Sequence, residues 1–112
     1  MNAGDVVWVD FPPGAGRAQA GRRPAIIAQT AAASDRLPTV LLIPLTTQQD
    51  ALRFPGTVLV EADASNGLRH ASVALVFQIT SVDRRFLGSR LGAISHTNME
   101  MIWTALDEIT GG

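Results

Sequence analysis

The chain has 112 residues, 46% hydrophobic and 17% charged, a composition typical of a folded domain and not of a disordered segment. Nine basic and ten acidic residues give a net charge of −1, which excludes binding to nucleic acid through overall positive charge. The absence of cysteine excludes disulfides and thiolate chemistry. The longest apolar run, Val40–Leu45, is too short to span a bilayer, and Asp5 and Asp10 interrupt any signal segment. We therefore expect one domain over residues 1–112, located in the cytoplasm and without a membrane partner.

Hydrophobic patterning predicts three strands in the first half of the chain. Asp5–Phe11 alternates apolar and β-branched residues and ends at a Pro-Pro-Gly sequence. A second strand covers Ala25–Ala28, with Pro24 at its first position, where a missing N–H is harmless. A third covers Thr39–Leu45, and its nearly continuous apolar character predicts burial on both faces. Pro44 within this strand indicates an edge or a bulge.

The second half of the chain continues the strand pattern. Gly56–Glu61 alternates as a fourth strand, and Asp63–Gly67 is a turn signalled by its Asn-Gly pair. Ser72–Val82 is either one long strand or a bent pair of strands. Arg90–Ile94 is a short sixth strand.

The pattern changes to helical spacing at the C-terminal end. Thr97 and Glu100 have the spacing of a capping box, which predicts Thr97 as the N-cap. Apolar residues then recur on one helical face: Ile102, Ala105, Leu106 and Ile109. Gly111-Gly112 ends the helix. Five or six short strands followed by one amphipathic helix predict a mainly β fold, a small barrel-like sheet with a C-terminal helix packed on it.

The loop between the first two strands is rich in Pro, Gly and Ala. It carries Arg17, Arg22 and Arg23 and no acid. A guanidinium can grip a phosphate through two parallel hydrogen bonds, so this loop is a candidate anion site. Arg84, Arg85 and Arg90 form another basic cluster, but arginines after a strand are usually solvated or paired with an acid such as Asp83.

Four segments of the chain, in order, resemble the MazF/PemK toxins of toxin–antitoxin systems: GDVVWVDF, GRRPAIIAQ, LLIPLTTQ and SVALVFQITSVDRRFL. The resemblance covers almost the whole chain. It implies an SH3-like β-barrel with a C-terminal helix, of the MazF/PemK/CcdB type. It also implies a homodimeric, ribosome-independent mRNA endoribonuclease that cuts single-stranded RNA at short sequences, needs no metal or other cofactor, and is inhibited by a cognate antitoxin.

The resemblance also implies the site residues. The catalytic arginine falls on Arg23 and the catalytic threonine on Thr46, with the neighbouring threonine as an alternative. The implied RNA-binding residues are Arg17, Gln19, Arg22, Thr47, Gln48 and Gln78. In two places the chain departs from many relatives, because Ala18 and Phe77 stand where those relatives carry an acid before a glutamine.

RNA cleavage of this type uses the ribose 2′-OH as the nucleophile, so the protein must supply positioning, charge stabilisation and proton transfer. Arg23 can donate two hydrogen bonds to non-bridging phosphate oxygens, and Thr46 can donate a third. Because a guanidinium stays protonated in proteins, we expect Arg23 to stabilise charge, and the general base stays unassigned. The family's products are a 2′,3′-cyclic phosphate and a 5′-OH.

Other residues favour structural interpretations. His70 is expected to be a solvated loop residue, and His96 to shape the start of the helix. Trp8 is expected to pack in the core or in a dimer interface, with stacking on an RNA base as the alternative. Trp103 lies off the apolar stripe of the helix, so a partner surface and a core position are equally expected.

Two other functions remain open. CcdB-type gyrase poisons share this fold, but they end in Trp-Gly-Ile whereas this chain ends in Thr-Gly-Gly. A non-catalytic module that only binds an antitoxin is also compatible with the barrel, although the retained Arg23 and Thr46 argue against it. In the favoured hypothesis the strands and the apolar helix form the dimer interface, and an antitoxin tail competes for the basic groove.

Overall fold

The computed structural model describes residues 1–12 and 21–112. Within these ranges the strands are β1 Asp5–Phe11, β2 Gly21–Ile27, β3 Thr39–Thr46, β4 Thr57–Val60, β5 Ser72–Leu75, β6 Thr80–Asp83 and β7 Leu87–Ala93. The helices are α1 Ala31–Arg36 and α2 His96–Thr110. Single 3-10 turns occupy Gln49–Arg53, Val76–Gln78 and Arg84–Phe86. The predicted mainly β fold with a C-terminal helix is confirmed.

All strand pairs are antiparallel, in the order β4-β5-β3-β2-β1-β7. The remaining strand, β6, pairs with the first half of β3 from Thr39 to Leu42, whereas β5 pairs with Leu45 and Thr46 at its end. One long strand is thus shared by two parts of the sheet. This sharing folds the sheet over on itself, as in a small barrel.

Successive residues of β1 and β2 point to opposite faces and supply two separate apolar clusters. Val6 and Ile26 belong to the cluster that α2 covers with Met99, Ile102 and Ala105. The neighbouring residues of the two strands belong to the second cluster, with Val7, Val9, Ala25, Ile27, Val40 and Leu42. Because side chains alternate between the two sides of β1 and β2, each face of the sheet packs into its own apolar cluster.

The predicted start of β2 was wrong. This strand begins at Gly21 and not at Ala25, and Pro24 lies inside it, opposite Trp8 of β1. Pairing with β3 is confined to Ala25–Ile27, so in the described part of the chain the Gly21–Pro24 half pairs with β1 alone. A proline is tolerated there because this half of the strand is an edge.

Apart from the edge expected at Pro44, the other strand predictions hold with small shifts. Pro44 does not lie on an edge strand, because β3 is inside the sheet and Pro44 is paired with Ala25 of β2; on its other side it lies between the parts of β3 that pair with β6 and with β5. Ser72–Val82 is a bent pair, since the 3-10 turn Val76–Gln78 separates β5 from β6. The last strand, β7, begins at Leu87, three residues before its predicted start. None of the helices among the described residues is long and apolar enough to cross a bilayer.

The prediction of Thr97 as N-cap was also wrong. Helix α2 begins at His96, and the Ser95 hydroxyl accepts a hydrogen bond of 3.1 Å from the Asn98 N–H. Glu100 does not close a capping box but lies 2.9 Å from His96 Nε2, one turn earlier. The C-terminal end is as predicted, because Gly111 adopts a positive φ of 77°.

Replacing Ser95 with Ala should therefore lower the free energy of unfolding by about 1 kcal/mol, because the Asn98 N–H loses its acceptor. The matched variant Thr97→Ala should change it by less than about 0.5 kcal/mol. Urea denaturation of the two variants measures both values. A larger loss for Thr97→Ala would contradict the cap assignment.

Candidate active site

The groove that holds the predicted catalytic residues forms where β2 and β3 separate. Their last paired residues are Ala25 and Pro44. When this pairing is continued by two residues on each strand, Arg23 falls opposite Thr46. Directly opposed residues of antiparallel strands point to the same face, so these two side chains share one face of the sheet.

The space between the separated strand ends is a groove of about 340 Å³, hereafter the central groove. Its polar lining consists of Arg22, Arg23, Thr46, Thr47 and Ser72. Arg23 is half-buried and Arg22 is exposed. None of the described residues that line the groove is acidic, so its charge is positive and suited to an anion such as a phosphate.

Thr46 is held in place by its own turn. Only 8% of this residue is exposed, and its Oγ1 accepts a hydrogen bond of 3.2 Å from the Gln48 N–H. That bond uses a lone pair of the hydroxyl and leaves the proton for donation into the groove. Thr47 is the next residue along the chain, so the alternation of a strand directs it towards the face that carries Trp8 and Pro24.

A second cavity, of about 300 Å³, adjoins the central groove at Thr46. It brings Gln48 and Gln78 together with Phe54 and Phe77, and we call it the Phe77 cavity. The two phenyl rings meet edge to face with centroids 5.8 Å apart, and both remain about two-fifths exposed. The sequence reasoning missed Phe54, for which the available signal was a large apolar residue in a polar segment.

A third cavity, of about 510 Å³, lies on the other side of the central groove and is hereafter the Trp8 cavity. It shares Pro24, Thr47 and Ser72 with the central groove. Its other main lining residues are Trp8, Leu68, Arg69, His70 and Leu91. Leu68, Arg69 and Leu91 were not singled out from the sequence, because they lie on a loop and a strand far from the Arg-rich segment.

Of the eight residues predicted for catalysis and RNA binding, Arg22, Arg23, Thr46 and Thr47 line the central groove, and Gln48 and Gln78 line the Phe77 cavity. Arg17 and Gln19 lie outside the described residues, as does the departure at Ala18. The structure thus gathers every predicted site residue that it describes into two adjoining spaces.

The environment of Arg22 connects the central groove to the Trp8 cavity. Asp10 lies opposite Arg22 in the β1–β2 register. The Arg22 guanidinium nevertheless lies over the Trp8 ring, 4.9 Å from its centroid. Such a contact is a cation–π interaction, and it holds the positive charge at the border of the two spaces.

The other charged residues weighed from the sequence have structural contacts outside the site. Arg84 donates hydrogen bonds to the carbonyl oxygens of Ser34 and Leu37 at the end of α1. It therefore anchors that helix and does not pair with an acid. Arg90 pairs with the buried Asp5 at 3.3 Å. Within residues 1–12 and 21–112, no three His, Asp or Glu side chains come together as a metal-binding group.

These features define a small antiparallel barrel with a helix on one face and a positively charged groove lined by arginines and threonines. The family model of the PemK-like, MazF-like toxins of type II toxin–antitoxin systems matches residues 2–110. The chain therefore belongs to this family.

Individual relatives match over nearly their whole length. The endoribonuclease toxin MazF of Escherichia coli strain K12 is 29% identical over 109 residues, which cover 96% of this chain and 92% of that protein. Endoribonuclease MazF of Staphylococcus epidermidis is 32% identical over 107 residues, covering 96% of this chain and 88% of the relative. The fold matches the crystal structure of MazF from Deinococcus radiodurans with a TM-score of 0.84, at 26% identity and with 100% and 97% of the two chains covered.

The wall of the Trp8 cavity depends on a buried asparagine. Asn66 is fully buried; its Oδ1 accepts from the Asp63 and Leu68 N–H groups, and its Nδ2 donates to the Glu61 carbonyl. The turn also docks on β7, since the Ala93 N–H donates to the Ser65 carbonyl.

Replacing Asn66 with Ala should lower the free energy of unfolding by about 1–3 kcal/mol, because it leaves partly buried backbone groups without partners. The neighbouring variant Ser65→Ala removes an exposed hydroxyl, keeps the backbone carbonyl and should be nearly neutral. Urea denaturation compares the two variants. Equal stabilities would show that the Asn66 amide does not hold this turn.

Proposed function

We propose that the chain is a single-domain endoribonuclease toxin that cleaves single-stranded RNA in the central groove, independently of the ribosome. The observation that supports this proposal is the central groove, a positively charged space whose lining includes both Arg23 and Thr46. Family membership and relatives named endoribonuclease MazF support the activity.

The proposed reaction is attack by the ribose 2′-OH on the neighbouring phosphorus. The products are a 2′,3′-cyclic phosphate and a 5′-OH. The pentacoordinate transition state gains negative charge on its non-bridging oxygens, and preorganised donors stabilise that charge. Arg23 donates two such hydrogen bonds, and the Thr46 hydroxyl donates another. Because RNA supplies the nucleophile, the reaction is proposed to need no metal and no other cofactor.

Base recognition is assigned to the neighbouring side chains. Single-stranded RNA is read by stacking on aromatic rings and by hydrogen bonds to base edges. Gln48 and Gln78 carry amide donors and acceptors into the Phe77 cavity, beside the rings of Phe54 and Phe77. Phe77 stands where many relatives carry an acid, so at that position the base meets an aromatic ring, and the acid of this cavity is Asp50. Arg17, Gln19, Arg22 and Thr47 complete the proposed RNA-binding set.

The proposed partners are a second copy of the chain and a cognate antitoxin, in the cytoplasm. The apolar stripe of α2 is already buried within the chain through Ile102 and Ala105. Met101 and Trp103 stay exposed by 48% and 37% and are available for the dimer interface. A MazE–MazF complex from Deinococcus radiodurans matches the fold with a TM-score of 0.78 at 25% identity, covering 99% and 95% of the two chains. An antitoxin is proposed to compete with RNA for the central groove.

Replacing Arg23 with Ala should reduce cleavage of a single-stranded RNA in EDTA by about a hundred- to a thousandfold, because it removes charged donors to the transition state. Mapping the 5′ ends of the fragments measures cleavage and its sequence preference together. Arg36→Ala, which removes an exposed arginine from the last turn of α1, is the matched control and should cut like the wild type. Wild-type activity in Arg23→Ala would refute the site.

Of the two neighbouring threonines, we propose Thr46 and not Thr47 as the donor to the phosphate, because Thr46 shares the face of Arg23 when the β2–β3 register is continued. Thr46→Ala should lower the cleavage rate by about a hundredfold, and Thr46→Ser should retain most of it because the hydroxyl remains. Thr47→Ala should cost less than about tenfold, because Thr47 belongs to the face that carries Trp8. Single-turnover rates on one RNA oligonucleotide decide the order. A greater loss for Thr47→Ala would reverse the assignment.

A further inference from the structure

We infer that the Trp8 cavity is a nucleotide subsite, which binds the base adjacent to the phosphate held in the central groove. This inference rests on the proposed function and assigns to that reaction a subsite that contains Trp8. Packing in the core or in a dimer interface was the simpler expectation for this tryptophan. In the structure it is partly exposed and lines an open cavity.

The position of the cavity provides the first argument. It shares Pro24, Thr47 and Ser72 with the central groove, so the two spaces are continuous. Its volume of about 510 Å³ falls within the range of small-molecule sites, about 300–1,000 Å³. A nucleotide chain that places its phosphate at Arg23 can therefore place the neighbouring base in this cavity.

The chemistry of the lining provides the second argument. Trp8, Pro24, Leu68 and Leu91 give the cavity flat and apolar walls, which suit the face of a base. Stacking on an aromatic ring is a main source of affinity for single-stranded nucleic acid. Ser72 adds a buried polar group: its hydroxyl donates to the His70 carbonyl at 3.0 Å, and its lone pairs stay able to accept from a base edge.

The charge at the rim provides the third argument and favours RNA over a peptide. Arg69 and His70 are exposed at the outer wall, and Arg22 lies over the Trp8 ring at the inner border. None of the described lining residues of the cavity is acidic. Every nucleotide brings a phosphate together with its base, so apolar walls with a cationic rim match both parts of one ligand. A peptide offers this combination only where an acidic residue adjoins an apolar one.

The test uses an RNA oligonucleotide with one cleavage site, mapped with the wild-type protein, and derivatives with an abasic residue at each flanking position in turn. Wild type should lose about tenfold to a hundredfold in kcat/KM at one position next to the cleaved bond. Trp8→Ala should lose a similar factor on the intact RNA and show no further loss at that position. Leu37→Ala, which removes an apolar side chain that is 46% exposed just after α1, is the control and should keep the wild-type profile.

Leu68→Ala enlarges the same cavity by truncating a loop residue that is only partly buried against the core, and it should weaken the same abasic penalty if Trp8→Ala folds poorly. The subsite is refuted if Trp8→Ala and Leu68→Ala keep the full penalty at every position. It is also refuted if Trp8→Ala leaves RNA cleavage unchanged and only weakens inhibition by an antitoxin, or if it converts a dimer into a monomer in sedimentation. Absence of any RNA cleavage by the wild type would instead refute the proposed function, and the subsite with it.

Discussion

The structure depends on how one strand distributes its backbone hydrogen bonds. A buried strand must pair nearly all its N–H and C=O groups, and β3 does so with three partners in turn. The change of partner falls at Pro44, which has no N–H to donate. The β2–β3 ladder ends at the same residue, so the two strands separate beyond it. The central groove exists because of that separation.

Charge distribution within the fold agrees with this geometry. The buried Asp5 is matched by Arg90, Asp50 faces Arg53 at 3.8 Å, and Glu100 lies beside His96. Asp50 and Arg53 line the adjoining Phe77 cavity, and the described lining of the central groove contains no acid. A net charge of −1 therefore coexists with a local positive site, which explains why overall composition does not indicate a phosphate ligand.

The three adjoining spaces suggest how one fold can separate chemistry from recognition. Arg23 and Thr46 are held by the sheet and by a turn, whereas the cavities on either side are walled partly by loops and 3-10 turns. Loops change more readily than strands during evolution. In the proposed reaction, differences such as Phe77 would alter which base is bound without moving the donors at the phosphate.

The sequence by itself determined the order and type of most elements, because alternation, apolar spacing and Pro/Gly positions are local signals. With the family resemblance, it also predicted Arg23 and Thr46 as the catalytic residues. The sequence predicted the wrong N-cap for α2, because Thr97 and Ser95 both carry a hydroxyl that can accept a hydrogen bond from the first turn. The choice is made by the Ile94 N–H, which donates to the Gly4 carbonyl and keeps the chain extended until Ser95. Tertiary structure alone decided which segments meet: the central groove, which gathers Arg23 and Thr46, and the Trp8 cavity, which gathers Leu68 and Arg69 with Trp8, are formed by distant parts of the chain that no local pattern connects.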